Sequence, residues 1–420
     1  MNNVKNKSKE AIYHYISFVL KSATLVMLLP VAEIFSSPFE LKLTAILLNM
    51  MYLILAVEFG FSIQISRVVG DHTDENGIRN NIEKISNISS RVFLLLVSIS
   101  FTASMIYFYN IYNDFTYVNN ASLILFISIL IFNLQLFSTK SYALCMGTTY
   151  LITVKRMEAF LYFAAFLTYF LNSVYFQNWQ IHLVIFLSVS VIRSFSLLAI
   201  ERHMKNNSTN EDNQTIDVKR FLQESYRIGL ATAATQLFLN TFLSKIYDVS
   251  DVRTANDINI VARLTQGVII ATRQFTDLRF YQISRDISQQ SNLRLNIIKN
   301  NMYVGISSIF ALALSSSYIF HQIKLNYSQL YSLSFEEIAY FVIILSFIYS
   351  IGLVSQQLLL INIFIHVGIS VAHIVAWTVL IMNDRLLDVA IIALYYTAVF
   401  ILCLMTGILL TKRRKNDSVS

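Results

Sequence analysis

The chain has 420 residues, of which 55% are hydrophobic and 14% charged, and its mean hydropathy is +0.56. An average soluble domain carries about 25% charged residues, so this composition excludes an ordinary soluble protein. The net charge of +7 is scattered over short segments and needs no partner beyond anionic membrane lipids. It does not indicate binding to nucleic acid.

Apolar stretches of membrane-spanning length recur from one end of the chain to the other. A spanning helix needs about 20 mainly apolar residues, and on that criterion the sequence predicts about twelve. The first six are predicted at residues 11–35, 42–66, 89–110, 121–145, 157–177 and 181–200. The second six are predicted at residues 221–246, 255–277, 299–320, 338–360, 364–382 and 386–410. The predicted fold class is therefore all-α, a polytopic membrane protein.

The longest polar interruption, RHMKNNSTNEDNQTIDVKR at residues 202–220, lies near the middle of the chain. Its composition is that of a flexible linker. It predicts an N-terminal six-helix bundle at residues 1–201 and a C-terminal six-helix bundle at residues 221–420, which ends in a basic tail. Two equal halves joined in this way suggest a duplicated unit, as in many transporters.

The distribution of lysine and arginine predicts the orientation. Twenty-two of these cations lie in the predicted inner segments, among them Lys140 and Lys155, and 5 lie in the outer segments. This positive-inside bias predicts that the linker and both termini are cytoplasmic. The five cations that remain within predicted spans are Lys21, Arg193, Arg227, Arg263 and Arg273.

A polar stripe runs along the predicted eighth span. Its members fall within an arc of roughly 100° on a helical wheel; they are Asn256, Asn259, Arg263, Gln266, Arg273 and Asp277. The stripe either lines a water-filled cavity or packs against other helices, with the two arginines reaching opposite interfaces. On the first interpretation, we expect Asn259, Arg263, Gln266 and Arg273 to bind substrate.

Weaker polar faces occur in two other spans. Lys21 shares a face of the first span with His14, Ser17 and Thr24, and it either faces a cavity or reaches back to the inner headgroups. Gln236 and Asn240 on the seventh span either contact a ligand or bond to neighbouring helices. A carboxylate within a span can couple transport to protons or pair with a cation. We therefore treat Glu58 and Asp277 as candidates for ion coupling.

Sequence signatures of enzymes are absent. The chain contains no GxxxxGK[ST], GxSxG, HExxH or paired CxxC motif. We therefore expect no catalytic residue, no metal site, no cofactor and no ATP-driven step.

Three features together resemble a known family. They are the 6+6 plan, the turn Glu58-Phe59-Gly60 followed by Arg67, and the segment ARLTQGVIIATRQF in the eighth span. They resemble the bacterial O-antigen and polysaccharide repeat-unit flippases (Wzx-type) of the multidrug/oligosaccharidyl-lipid/polysaccharide exporter superfamily. The resemblance implies two six-helix bundles that form a V around a central cavity, lined largely by the first, second, seventh and eighth helices. It would place Lys21, Glu58, Arg263 and Arg273 around that cavity.

The resemblance also implies a function. The substrate would be an oligosaccharide repeat unit of O-antigen or another surface polysaccharide, linked through diphosphate to undecaprenol. The protein would move it across the bacterial inner membrane by alternating access, alongside other membrane proteins of polysaccharide assembly. The alternatives are a cation-coupled drug antiporter of the same superfamily and a membrane polysaccharide polymerase or ligase. A drug-cation exporter should favour acids in its cavity, and an enzyme of this kind usually has a sizeable outer loop, which this chain lacks.

Overall fold

The structure is a computed structural model, and it describes two compact units, Met1–Gly229 and Leu230–Ser420. The continuously described ranges are residues 12–21, 34–58, 60–71, 77–111, 120–146, 150–206, 251–263 and 342–346, with shorter runs and single positions elsewhere. Within these described positions the regular structure is entirely helical. This confirms the predicted all-α class for the part of the chain that is described.

Eight helical segments are defined. In the first unit they are α1 (residues 12–21), α2 (Pro38–Ala56), α3 (Phe61–Asp71), α4 (Gly77–Ile111), α5 (Ala121–Met146), α6 (Leu151–Leu171) and α7 (Trp179–Asn206). In the second unit α8 comprises residues 252–263. A π-helical turn, Asn172–Phe176, follows α6. The helix α7 continues to Asn206, past residue 202, where the polar linker was predicted to begin.

Five stretches of the described residues are long and apolar enough to cross a membrane: Pro38–Ala56, Ile82–Tyr109, Ala121–Met146, Leu151–Phe176 and Trp179–Asn206. They correspond to the predicted second to sixth spans. The 35 residues of α4 make it about 52 Å long at 1.5 Å per residue, which exceeds the roughly 30 Å hydrocarbon core. Its first turns are polar, and they extend the helix beyond the apolar run that the sequence marked at residues 89–110.

Local side-chain chemistry sets several helix ends. Ser37 and Glu40 form a capping box at the start of α2: Ser37 N donates to Glu40 Oε2 at 2.7 Å, and Glu40 N donates to Ser37 Oγ at 3.3 Å. The left-handed backbone of Gln177 (φ 47°) ends the π-helical turn. Asp251 caps α8 by accepting from the hydroxyl and amide of Thr254, and these hydrogen bonds lower the pKa of Asp251.

The helix α5 is the centre of the first unit, because it contacts α2, α3, α4, α6 and α7. Its inward face carries Leu125, Phe132 and Leu136, none of which is exposed. Several polar side chains of α5 form hydrogen bonds within the protein, as in other membrane helices. For example, Ser138 Oγ donates to Gln135 O at 2.8 Å and to Ser194 Oγ of α7 at 3.2 Å. This central helix also positions two buried charge clusters.

Candidate functional site

The predicted second span is broken rather than continuous, so the prediction of one helix at residues 42–66 is wrong. The helix α2 ends at Ala56, α3 begins at Phe61, and Gly60 between them has a φ of 69°. Glycine adopts this left-handed conformation without steric cost. The apolar composition continues across the break, which is why hydropathy alone did not reveal it.

Glu58 lies in this break. Its carboxylate oxygen Oε1 accepts a hydrogen bond from Ser62 Oγ at 2.8 Å. The other oxygen, Oε2, is buried and has no hydrogen-bond partner among the described residues. Its main chain joins the two helices, since Glu58 N donates to Leu55 O at 3.3 Å and Phe61 N donates to Glu58 O at 3.0 Å. The arrangement leaves one buried acceptor for a proton, a cation or a water molecule.

A buried charge cluster joins α6 and α7. Glu158 Oε2 accepts from Lys155 Nζ at 2.9 Å, and Glu158 Oε1 accepts from Arg193 Nε at 2.9 Å and Nη2 at 2.8 Å. Lys155 also donates to the hydroxyl of Tyr142 on α5 at 2.8 Å. The side chains of Lys155, Glu158 and Arg193 are 7%, 6% and 14% exposed. We call these three residues and Tyr142 the Glu158 cluster.

The charge of Lys21 interacts with the Glu158 cluster. Lys21 is exposed, whereas His14, Ser17 and Thr24 on the same face of the first helical stretch are buried. Thr24 Oγ1 donates to Tyr162 O of α6 at 3.4 Å, so this stretch packs against α6. Lys21 interacts electrostatically with both Glu158 and Arg193. The four residues of the predicted polar face therefore differ in burial: three are packed in the protein, and Lys21 is exposed.

A second buried cluster joins α4, α5 and α7. Lys140 Nζ lies 2.8 Å from Glu201 Oε2, and Lys205 Nζ lies 3.4 Å from Glu201 Oε1. The carboxylate of Glu201 also accepts from the hydroxyls of Ser86 and Ser141. The side chains of Lys140 and Glu201 are only 4% and 5% exposed. We call this group the Glu201 cluster.

These clusters correct part of the charge analysis. Lys140 and Lys155 were counted as cations of inner segments, yet both lie within helices, are buried, and bind carboxylates. Without those two, 20 inner cations remain against 5 outer ones, so the predicted orientation does not depend on them. The signal that could have revealed one pair is the i, i+3 spacing of Lys155 and Glu158. The pairing of Lys140 with a residue 61 positions away has no such signal.

In the second unit, two predicted substrate-binding residues contact each other. Arg263 Nη2 on α8 donates to Asn240 Oδ1 at 3.2 Å, and both residues are buried. Asn259 Nδ2 donates to Leu243 O at 3.3 Å, and Tyr247 Oη donates to Asn256 Oδ1 at 2.8 Å. The described part of the stripe thus contacts Asn240, Leu243 and Tyr247, which is the helix-packing arrangement of the two considered from the sequence. Gln236, Gln266, Arg273 and Asp277 lie outside the described residues.

No group of three or more histidine, cysteine, aspartate or glutamate side chains that could hold a metal ion occurs among the described residues. The chemistry available in the described part is that of fixed charges and hydrogen bonds. Cations outnumber carboxylates in the Glu158 cluster, where Lys155 and Arg193 both bind Glu158. This arrangement suits the recognition of an anion better than that of a cation.

No protein-family model and no curated protein sequence matches the chain. Solved structures match nearly all of it. The MATE transporter ClbM in complex with Rb⁺ has a TM-score of 0.63 at 13% identity, over 97% of this chain and 94% of that chain. A MATE protein in complex with MaD5 has a TM-score of 0.61 at 13% identity, over 97% of both chains.

A third similar structure is a MOP superfamily transporter from Pyrococcus furiosus, with a TM-score of 0.57 at 13% identity over 98% of this chain and 95% of that chain. It is described as having a binding pocket of reverse polarity that suggests a different function. At these identities the similarity shows the fold. This chain therefore has the fold of the MATE transporters of the MOP superfamily.

Proposed function

We propose that this protein is a flippase for a lipid-linked oligosaccharide. Its substrate would carry sugars joined through diphosphate to a polyprenol such as undecaprenol, and it would cross the bacterial inner membrane from the cytoplasmic to the outer face. Two bundles would alternate access to a central cavity that holds the sugars and the diphosphate, while the prenyl tail stays in lipid. Both termini and the linker at residues 202–220 would be cytoplasmic.

The observation that carries this proposal is the position of Lys21. It is an exposed cation within an apolar helical stretch, and its charge interacts with a cluster in which Lys155 and Arg193 already outnumber Glu158. A lysine that faces lipid near the bilayer centre costs about 2.5–3.5 kcal/mol on the insertion scale. A water-filled cavity avoids that cost, and fixed positive charge suits a dehydrated diphosphate.

The second unit would contribute the remaining polar contacts. We propose Arg263, Asn240 and Asn259 as substrate-binding residues, because the bond between Arg263 and Asn240 already brings two of them together. This contact would have to open for substrate to reach the guanidinium. The candidates outside the described residues, which complete this proposed set, are Gln236, Gln266 and Arg273. Glu58 and Asp277 are proposed for ion coupling.

A drug antiporter is the second candidate, and the fold together with Glu58 favours it. Similar structures include an outward-facing multidrug resistance MATE family transporter, with a TM-score of 0.58 at 11% identity over 98% of this chain and 95% of that chain. Such an exporter would use the buried free oxygen of Glu58 for proton or cation coupling. The excess of cations around Lys21 argues against a cationic drug as substrate.

Complementation of a flippase-null strain tests the proposal. Expression of the protein should restore lipid-linked sugar on the outer face of the inner membrane, without changing the tolerance of the strain to cationic drugs. Lys21→Gln should lose this activity at normal protein levels, and Lys21→Arg should keep much of it. Arg202→Gln, which removes an exposed cation near the end of α7, is the matched control and should behave as wild type. Drug export without any restored sugar export would favour the antiporter.

A further inference from the structure

The Glu158 cluster contains a carboxylate shared between two helices. We propose that Glu158 is an internal counterion. It forms an ion pair with Arg193 when no substrate is bound, and the diphosphate of the substrate displaces Glu158 from Arg193. This inference rests on the proposed function, because it takes the diphosphate as the anion that enters. It assigns roles to Glu158, Arg193 and Lys155, none of which was identified as a site residue from the sequence.

The geometry divides the carboxylate into two halves. Oε2 binds Lys155, which lies three residues away on the same helix, α6. Oε1 accepts hydrogen bonds from both Nε and Nη2 of Arg193, which lies on α7. The contact with Lys155 is local and persists as long as α6 is helical. The contact with Arg193 joins two helices, and Arg193 is the most exposed of the three side chains. The Arg193 half is therefore the one that an external anion can exchange.

The net charge of the cluster is positive, so an additional anion would bring it closer to neutrality. Within the buried cluster, Lys155 and Arg193 supply two positive charges and Glu158 supplies one negative charge, and the charge of the exposed Lys21 adds to the positive excess. Excess charge removed from water is unfavourable unless it is paired. A diphosphate brings several acceptor oxygens and more than one negative charge. It could bind the guanidinium of Arg193 through two parallel hydrogen bonds and the ammonium of Lys21 as a point charge. Glu158 would then remain with Lys155.

The Glu201 cluster provides a matched contrast. Glu201 is also a buried carboxylate bound by two cations, but it accepts two serine hydroxyls in addition to Lys140. Its oxygens are thus held from α4, α5 and α7 together. We assign Glu201 a structural role, and its substitution should not change the affinity for an anion at Lys21.

The first test measures binding of inorganic pyrophosphate to the purified full-length protein in detergent. Glu158→Gln keeps the size of the side chain and one acceptor oxygen, but it removes the competing charge. We expect it to bind pyrophosphate on the order of tenfold more tightly, which is the scale of one charge-assisted hydrogen bond released for the ligand. Arg193→Gln should bind more weakly by a similar factor, and Glu201→Gln should match wild type. Equal or weaker binding by folded Glu158→Gln would overturn the inference.

The second test needs no variant. Acetylation of Lys21 in the wild-type protein is followed by mass spectrometry, with the exposed Lys84 on α4 as the reference. Pyrophosphate should slow acetylation of Lys21 but not of Lys84. If phosphatidylglycerol in mixed detergent micelles protects Lys21 and pyrophosphate does not, the anion is a bilayer phospholipid. That outcome would overturn the inference, and so would the absence of protection by either ligand. Because neither test measures sugar export, failure of the inference is separable from failure of the proposed flippase activity.

Discussion

The Glu201 cluster makes a quantitative prediction about stability. The side chains of Lys140 and Glu201 are 4% and 5% exposed, and Lys140 Nζ lies 2.8 Å from Glu201 Oε2. Each charge is therefore stabilised by the other and not by water. Removing one partner of such a buried pair typically costs about 3–5 kcal/mol, because the other charge stays buried without compensation. We expect Glu201→Leu to lower the free energy of unfolding by that amount. Lys140→Met should cost less, since Lys205 remains within 3.4 Å of the carboxylate.

The double variant Lys140→Met/Glu201→Leu separates this explanation from general loss of packing. It leaves neither charge buried, and exchange of a buried ion pair for apolar side chains is often close to neutral. It should therefore be more stable than Glu201→Leu alone, although Ser86 and Ser141 still lose their acceptor. Unfolding is measured by denaturing-detergent titration of the purified protein. A double variant less stable than Glu201→Leu, or a Glu201→Leu protein within about 0.5 kcal/mol of wild type, would refute the reasoning.

Further predictions concern orientation, coupling and the second unit. Reporter enzymes that work only in the cytoplasm should be active when fused after Ser420 or within residues 202–220, and reporters that work only in the periplasm should be inactive there. A periplasmic signal at either place would reject the topology. Glu58→Gln should flatten the pH dependence of export if its free oxygen takes a proton, and an unchanged profile would exclude it from coupling. Arg263→Ala should remain in the membrane but export less lipid-linked sugar. A cysteine at Asn240 should gain reactivity toward a water-soluble thiol reagent in that variant, because the Arg263 contact that covers it is lost; continued protection would indicate a purely structural contact.

The sequence predicted the class of the fold because hydropathy and cation placement are properties of single segments. Each of the five described spanning stretches overlaps a predicted span, although Pro38–Ala56 ends ten residues before the predicted end of the second span. The break at Glu58 and Gly60 was missed because the flanking residues remain apolar on both sides of it. The early start of α4 was also missed, because its first turns are helical but polar and a search for apolar runs does not detect them.

The charge clusters could not be predicted in the same way, because their partners come from different helices. Glu201 binds Lys140, 61 positions earlier, and Arg193 binds Glu158, 35 positions earlier. One sequence without related sequences contains no signal for such pairs. The sequence singled out Lys21 as an unusual cation, but it did not identify Glu158 and Arg193 as the charges with which Lys21 interacts.

The most direct measurement of the central claim is flipping by the reconstituted protein. Liposomes would contain a labelled polyprenyl-diphosphate oligosaccharide, and exposure of its sugar to an external lectin would be followed over time. We predict that the wild-type protein speeds exposure relative to protein-free liposomes, and that Lys21→Gln, at equal protein content, loses most of that acceleration. Exposure by wild type at the protein-free rate would contradict the flippase proposal, and undiminished flipping by Lys21→Gln would contradict the site.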